Sequence, residues 1–107
     1  MSSRQRHLLA ELLRLVRATP EASCVAARVL DPLIRYDREH DGDLLHTLRV
    51  YFQCEGNVRR GAELLFLHRN GLIYRLGRIE SLLGVSLSDP ESRMGLQVAL
   101  LVFDADQ

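Results

Sequence analysis

The stretch that most constrains this chain is the series Leu72, Leu76, Ile79 and Leu83, closed by Gly84. At about 100° per residue, these four side chains fall within roughly 60° of one another on a helix. That helix starts near Arg69 and runs to Leu82 or Leu83, with Gly84 where a left-handed C-terminal cap belongs. So narrow a stripe has to be covered by neighbouring elements. Immediately upstream, Asn57 is placed to cap a short helix, Val58 to Leu65, through its side-chain oxygen. Phe66, Leu67 and His68 form the corner between the two. A short helix, a tight corner and a longer helix make the helix-turn-helix outline, in which the second helix enters the DNA major groove.

The face opposite the stripe carries Asn70, Tyr74, Gly77 and Ser81, with Ile73 at its edge and Arg69 and Arg78 flanking it. Arg pairs bidentately with guanine and Asn with adenine, while Tyr reaches phosphate. His68, at the corner, has two readings: it caps or packs at the turn, or it contacts a phosphate. Arg59, Arg60 and Arg75 are open to phosphates or to ion pairs, and Arg75, flanking the apolar stripe, is the better candidate for a structural role. Polar residues opposite an apolar stripe are also what any solvated helix shows.

Charge sharpens the reading. The 14 cations and 14 acids cancel, and every cation is Arg. Residues 1–18 carry +3, residues 19–57 carry −3, residues 58–80 carry +3 and residues 81–107 carry −3. A DNA binder needs local positive potential more than a basic total, and the third block supplies it.

The remaining pattern is helical throughout, which predicts an all-α fold in one domain, residues 1–107. Arg4 to Arg17 reads as a helix with Leu8, Leu9, Leu12, Leu13, Leu15 and Val16, an apolar face broad enough to pack on the domain or on a partner chain. Thr19-Pro20 caps a second helix ending near Val29, and Asp31-Pro32 opens a short helical turn to Tyr36. Residues 37–42 read as a solvated polar loop. Asp43 caps a helix bearing Leu44, Leu45, Leu48, Tyr51 and Phe52 and ending at Gly56, so the helix-turn-helix core spans residues 43–84. Asp89-Pro90 caps the last helix, within residues 89–104, with Met94, Val98, Leu101 and Val102 on one face and Leu100 and Phe103 widening it.

Several functions find no support in these residues. No nucleophile is paired with a base, and there is no phosphate-binding loop, so no catalytic residue or cofactor is expected. His7, His40, His46 and His68 lack metal-ligand spacing. Cys24 and Cys54 read as small buried hydrophobes in a reducing compartment. No apolar run approaches a membrane span, and the N-terminus is too charged for a secretory signal, so a cytoplasmic protein is expected.

HRNGLIYRLGRIESLLG resembles the signature of the PucR/CdaR-type C-terminal helix-turn-helix family, which typically reads close to HRNTLRYRLRRIEELLG. The resemblance continues upstream through LDPLIRYDREHDGDLLHTLRVYF and downstream through SLSDPESRMGLQVAL, covering about residues 30 to 100. It implies a DNA-binding output module of a bacterial transcription regulator, with double-stranded DNA as partner. It also implies that any effector is bound by a sensor region absent from this chain. Three positions depart from the family pattern. Gly71 stands where Thr is usual, and Ile73 and Gly77 where Arg is usual, which removes two cations from the reading face. The expected DNA contacts are His68, Arg69, Asn70, Ile73, Tyr74 and Arg78, with Arg59 and Arg60 on phosphates. Homodimerisation is expected through the N-terminal helix or the last one. The alternative is a protein-interaction or dimerisation module that kept the fold and lost specific DNA binding.

Stripes on three consecutive helices converge, which joins Tyr51 and Phe52 to Leu65, Leu72, Leu76 and Ile79 in one core. Leu76→Asp would bury an unpaired charge there and is expected to unfold the domain. An unchanged melting temperature would contradict this core.

Overall fold

A computed structural model describes residues 2–17 and 19–105 of the chain. Its elements are all helices: α1 (Ser3–Arg17), α2 (Pro20–His40), α3 (Leu44–Gln53), α4 (Val58–Leu65), α5 (Arg69–Leu83) and α6 (Pro90–Ala105). The longest, α2, is the platform, packing against α6, α3, α5 and α1. The core seated on it joins Leu30, Leu33, Leu48, Leu72 and Ile79, all fully buried, to Leu96, Leu100 and Val102 of α6. Tyr51, Phe52 and Leu65 are half-buried against this cluster and Leu76 is buried within it, as the converging stripes predict. The side chain of Val16 lies outside the described residues.

Two breaks expected from prolines and polar residues are absent. Pro32 lies inside α2, which continues through residues 37–40 to a left-handed cap at Asp41. Pro removes one backbone hydrogen bond and crowds the preceding turn, a cost of about 3 kcal/mol. Leu30 and Leu33 straddle it, both 0% exposed. Burying two Leu side chains contributes roughly 3–6 kcal/mol and holds the helix together. Asp37 is likewise no member of a solvated loop. From α2 its carboxylate accepts the Leu44 and Leu45 amides at 2.8 and 3.0 Å, capping the start of α3. Asp43 occupies the N-cap position and makes no side-chain cap bond. Thr19 behaves similarly, its hydroxyl donating back to the Leu15 carbonyl. Sequence adjacency names a capping residue; here a residue from the neighbouring helix takes the place.

The other caps follow the sequence. Asn57 Oδ1 accepts the Arg60 amide at 3.1 Å, and Gly84 ends α5 at φ 68. Asp89 accepts both the amide and the hydroxyl of Ser92, at 3.0 and 2.7 Å. These bonds, the Ser92 hydroxyl first, hold its carboxyl below the usual carboxylate range. The stabilisation they give is present above that range and is lost as pH falls through the lowered value. α3 ends at Gln53 instead of Gly56, and residues 54–56 form the turn into α4.

On α6 the buried side is Leu96, Ala99, Leu100 and Val102. Of the apolar face expected on this helix, Val102 and the flanking Leu100 are buried, while Met94, Val98 and Leu101 are exposed. Apolar residues run almost all round this helix, so periodicity could not choose its inner side. Asp104 near its end takes a bidentate pair from Arg49 of α3, at 2.9 Å from Nε and 2.7 Å from Nη2. Cys24 is exposed and Cys54 half-buried, correcting the expectation of two buried thiols. Cys24 lies about 160° round α2 from buried Ala26. No described helix is long and apolar enough to cross a membrane.

The α4–α5 pair depends on Gly61. It is buried, and a Cβ built on it would stand 3.2 Å from Leu72 Cδ2. Gly61→Leu is expected to cost about 1–3 kcal/mol of stability by overpacking this crossing, read by chemical denaturation. Asp37→Ala is expected to cost about 1 kcal/mol and Asp43→Ala clearly less. Equal losses for the two Asp variants would contradict capping of α3 from α2.

Candidate nucleic-acid interface

The corner between α4 and α5 is built by backbone hydrogen bonds. The Leu67 amide reaches the Ala62 carbonyl at 2.9 Å and the Phe66 amide reaches that of Glu63 at 3.2 Å. This paired closure is the Schellman motif, and it places Phe66 in the left-handed region at φ 56, ψ 43. Leu67 turns in against the core. The chain then enters α5 through His68, whose extended backbone occupies the N-cap position without a side-chain cap bond. His68 is exposed, so it does not cap the helix through its ring. The first amides of α5 have no partner within the helix, which leaves partial positive charge at this end.

Arg69 and Asn70 stand exposed on the first turn, and Ile73 and Tyr74 follow on the second at 46% and 68% exposure. The opposite side holds Leu72, Leu76 and Ile79 in the core. His68, Arg69, Asn70, Ile73 and Tyr74 thus share the N-terminal half of one exposed surface. Open space surrounds Gly77, where an added Cβ would meet nothing within 4 Å. Nothing steric keeps a longer side chain out.

The other candidate residues fall elsewhere. Arg59 and Arg60 are exposed on the first turn of α4, with Arg59 Nε 3.8 Å from the Glu63 carboxylate in a solvated pair. Arg78 is drawn towards α2, its guanidinium 5.3 Å from the centroid of the Tyr36 ring. Tyr36 in turn stacks on His40 at 4.3 Å. Arg75 donates to the Thr47 hydroxyl at 3.3 Å, matching the structural role expected from its place beside the stripe. The same hydroxyl, on a side chain with 0% exposure, donates to the Asp43 carbonyl at 2.7 Å, so the buried polar group is satisfied on both counts. Phe66, given no role by the sequence pattern, is 95% exposed at the corner. No periodicity could have singled it out, because it belongs to neither helix.

A short helix, a tight left-handed corner and a longer helix whose inner stripe packs on the domain make a helix-turn-helix domain of the kind that DNA-binding transcription regulators carry. The chain belongs to the PucR C-terminal helix-turn-helix domain family, whose model matches residues 44–102. It is 48% identical over 63 residues to the purine catabolism regulatory protein of Bacillus subtilis (strain 168), covering 59% of this chain and 12% of that protein. It is 42% identical over 88 residues to an uncharacterized protein in the pkwA 5′ region of Thermomonospora curvata, covering 82% and 48% of the two. The DNA-binding transcriptional activator AdeR of Bacillus subtilis (strain 168) is 35% identical over 60 residues, covering 56% and 14%. The chain therefore spans from about an eighth to about half of the length of these relatives. No solved structure matches it. Membership of a family of regulators disfavours the alternative of a fold that has lost its DNA role.

The Arg78–Tyr36 contact is testable without DNA. A double-mutant cycle with Arg78→Ala and Tyr36→Leu is expected to give a coupling of about 0.5–1 kcal/mol in denaturant unfolding. Zero coupling would return Arg78 to solvent and to the pool of free cations.

Proposed function

We propose that α5 reads duplex DNA in the major groove through its first two turns. In this reading Arg69 and Asn70 carry base discrimination, Ile73 makes apolar contact such as with a thymine methyl, and Tyr74 and His68 reach the backbone. Arg59 and Arg60, on the first turn of α4, neutralise phosphates. Arg78 contributes less than its sequence position suggests, because its guanidinium is engaged on Tyr36. The observation that carries the reading is the exposed Arg69-Asn70 pair at an N-terminus with uncapped amides.

The whole is proposed to act as one unit, residues 1–107, in a cytoplasmic regulator that is not an enzyme. The relatives extend well beyond the matched stretch, which supports effector binding by a region outside this chain. Homodimerisation is part of the proposal. Its support is the row Leu8, Leu12 and Leu15 on α1 and the row Met94, Val98 and Leu101 on α6, all exposed. Two-fold symmetry would set half-sites about one helical turn apart. Sedimentation is expected to show dimer at high micromolar concentration, and monomer alone would remove this element for the isolated chain.

The reading face is thinner in cations than the family pattern. Ile73→Arg with Gly77→Arg is expected to tighten duplex binding and steepen the log–log salt slope by up to about 0.9 per new phosphate contact. Arg69→Ala is the negative control and should weaken binding. If the wild type binds no duplex even at low salt, and the double Arg variant does no better, the interaction-module reading takes its place.

A further inference from the structure

We propose that Phe66 is part of the DNA-contacting surface, an apolar probe that lies against the duplex beside the entry of α5. This rests on the reading of α5 as the recognition helix. α4 and α5 end in the same left-handed conformation, φ 56 at Phe66 and φ 68 at Gly84. Glycine takes that conformation without a steric penalty, and an aromatic residue does not. At the end of α5 the chain uses the unstrained residue; Asp41 and Glu55 take the same conformation at φ 49 and φ 54, and Phe66 differs from them in carrying an aromatic ring.

Packing offers no reason for the strained choice. The ring of Phe66 is 95% exposed, while the hydrophobic contact that accompanies such a closure comes from Leu67. The described aromatic contacts pair Tyr36 with His40 and Tyr51 with Phe52, and Phe66 takes part in neither. Among the described residues, an almost fully exposed ring on a left-handed backbone has no packing role.

Position supplies the occupant. Phe66 precedes His68, Arg69 and Asn70 by two to four residues and continues the exposed surface they form. Leu64, two residues before Phe66 at the end of α4, is exposed as well. Exposed polar groups on His68, Arg69 and Asn70 alternate there with exposed Phe66, Ile73 and Tyr74, a mixture that suits the sugar–phosphate edge of a duplex. Deoxyribose carbons and thymine methyls give such an edge apolar ground for one aromatic ring. A protein partner is the competing occupant and predicts a different outcome below.

The test separates strain from contact, because the two move in opposite directions. The probe is a duplex selected by the wild-type 107-residue chain from a random-sequence pool. Phe66→Gly relieves the left-handed strain, so its melting temperature is expected to rise by a few degrees. Its duplex affinity is expected to fall about five- to tenfold, the effect of leaving some 50 Å² of apolar surface in water. The salt slope should not change, since no phosphate contact is lost, whereas Arg60→Ala, at a residue assigned to phosphate, should flatten it. Phe66→Tyr keeps the ring and should bind within about twofold of wild type. Phe66→Asn, which also suits the left-handed region, replaces the Gly variant if that one does not fold. Unchanged affinity in a folded Gly or Asn variant overturns the inference, whether the ring meets a protein or nothing, and leaves the reading of α5 standing. Absence of wild-type binding overturns both.

Discussion

The close crossing of α4 over α5 at Gly61 and Leu72 is the contact on which the rest depends. Leu72 is fully buried, and its Cδ2 occupies the space a side chain on residue 61 would claim. The chain between the two helices turns within Phe66, Leu67 and His68, closed by the backbone bonds from Leu67 to Ala62 and from Phe66 to Glu63. That sharp turn swings the N-terminus of α5 clear of the core and exposes Arg69 and Asn70. The apolar stripe of α5 does the complementary work, fixing the rotation of the helix so that Asn70, Ile73 and Tyr74 face outwards.

Around this pair the structure is arranged as a support. The long α2 lies under α3, α5 and α6, and polar contacts tie each to its place. Asp37 fixes the start of α3, Tyr36 receives Arg78 from the C-terminal half of α5, and Arg49 clasps Asp104 on α6. The pair of Arg49 and Asp104 is partly exposed, so it sets orientation more than it adds stability. The recognition helix is therefore held at its centre by packing and towards its end by a cation on an aromatic ring. The outward side of its first two turns, Arg69, Asn70, Ile73 and Tyr74, is left exposed.

How legible this was in the sequence differed by element. The α4–α5 motif could be read almost to the residue, because its signals are local: Asn57 as cap, the stripe from Leu72 to Leu83, and Gly84 as stop. The outward face of α5 followed from the same angles. What could not be read depends on residues far apart in the chain. Pro32 looks like a helix start until Leu30 and Leu33 are seen buried beneath other helices. Asp43 looks like the cap of α3 until Asp37 is seen to reach its amides. On α6, apolar on nearly every side, no angle distinguished Leu96 from Met94. Arg78 lay near the outward face by its angle, and only the placement of Tyr36 shows where its guanidinium goes.

The central claim is that the surface meeting DNA is the corner and first two turns of α5, and the apolar faces of α1, α2 and α6 are not. Amide chemical-shift mapping of the 107-residue chain against a duplex tests this most directly. The account predicts that perturbations at low salt concentrate from Phe66 to Tyr74, with a second, weaker group at Arg59 and Arg60, and that they fade together as salt rises. Perturbations centred on Val25, Val29 and Val98, or a spectrum unchanged by duplex at any salt, would contradict it.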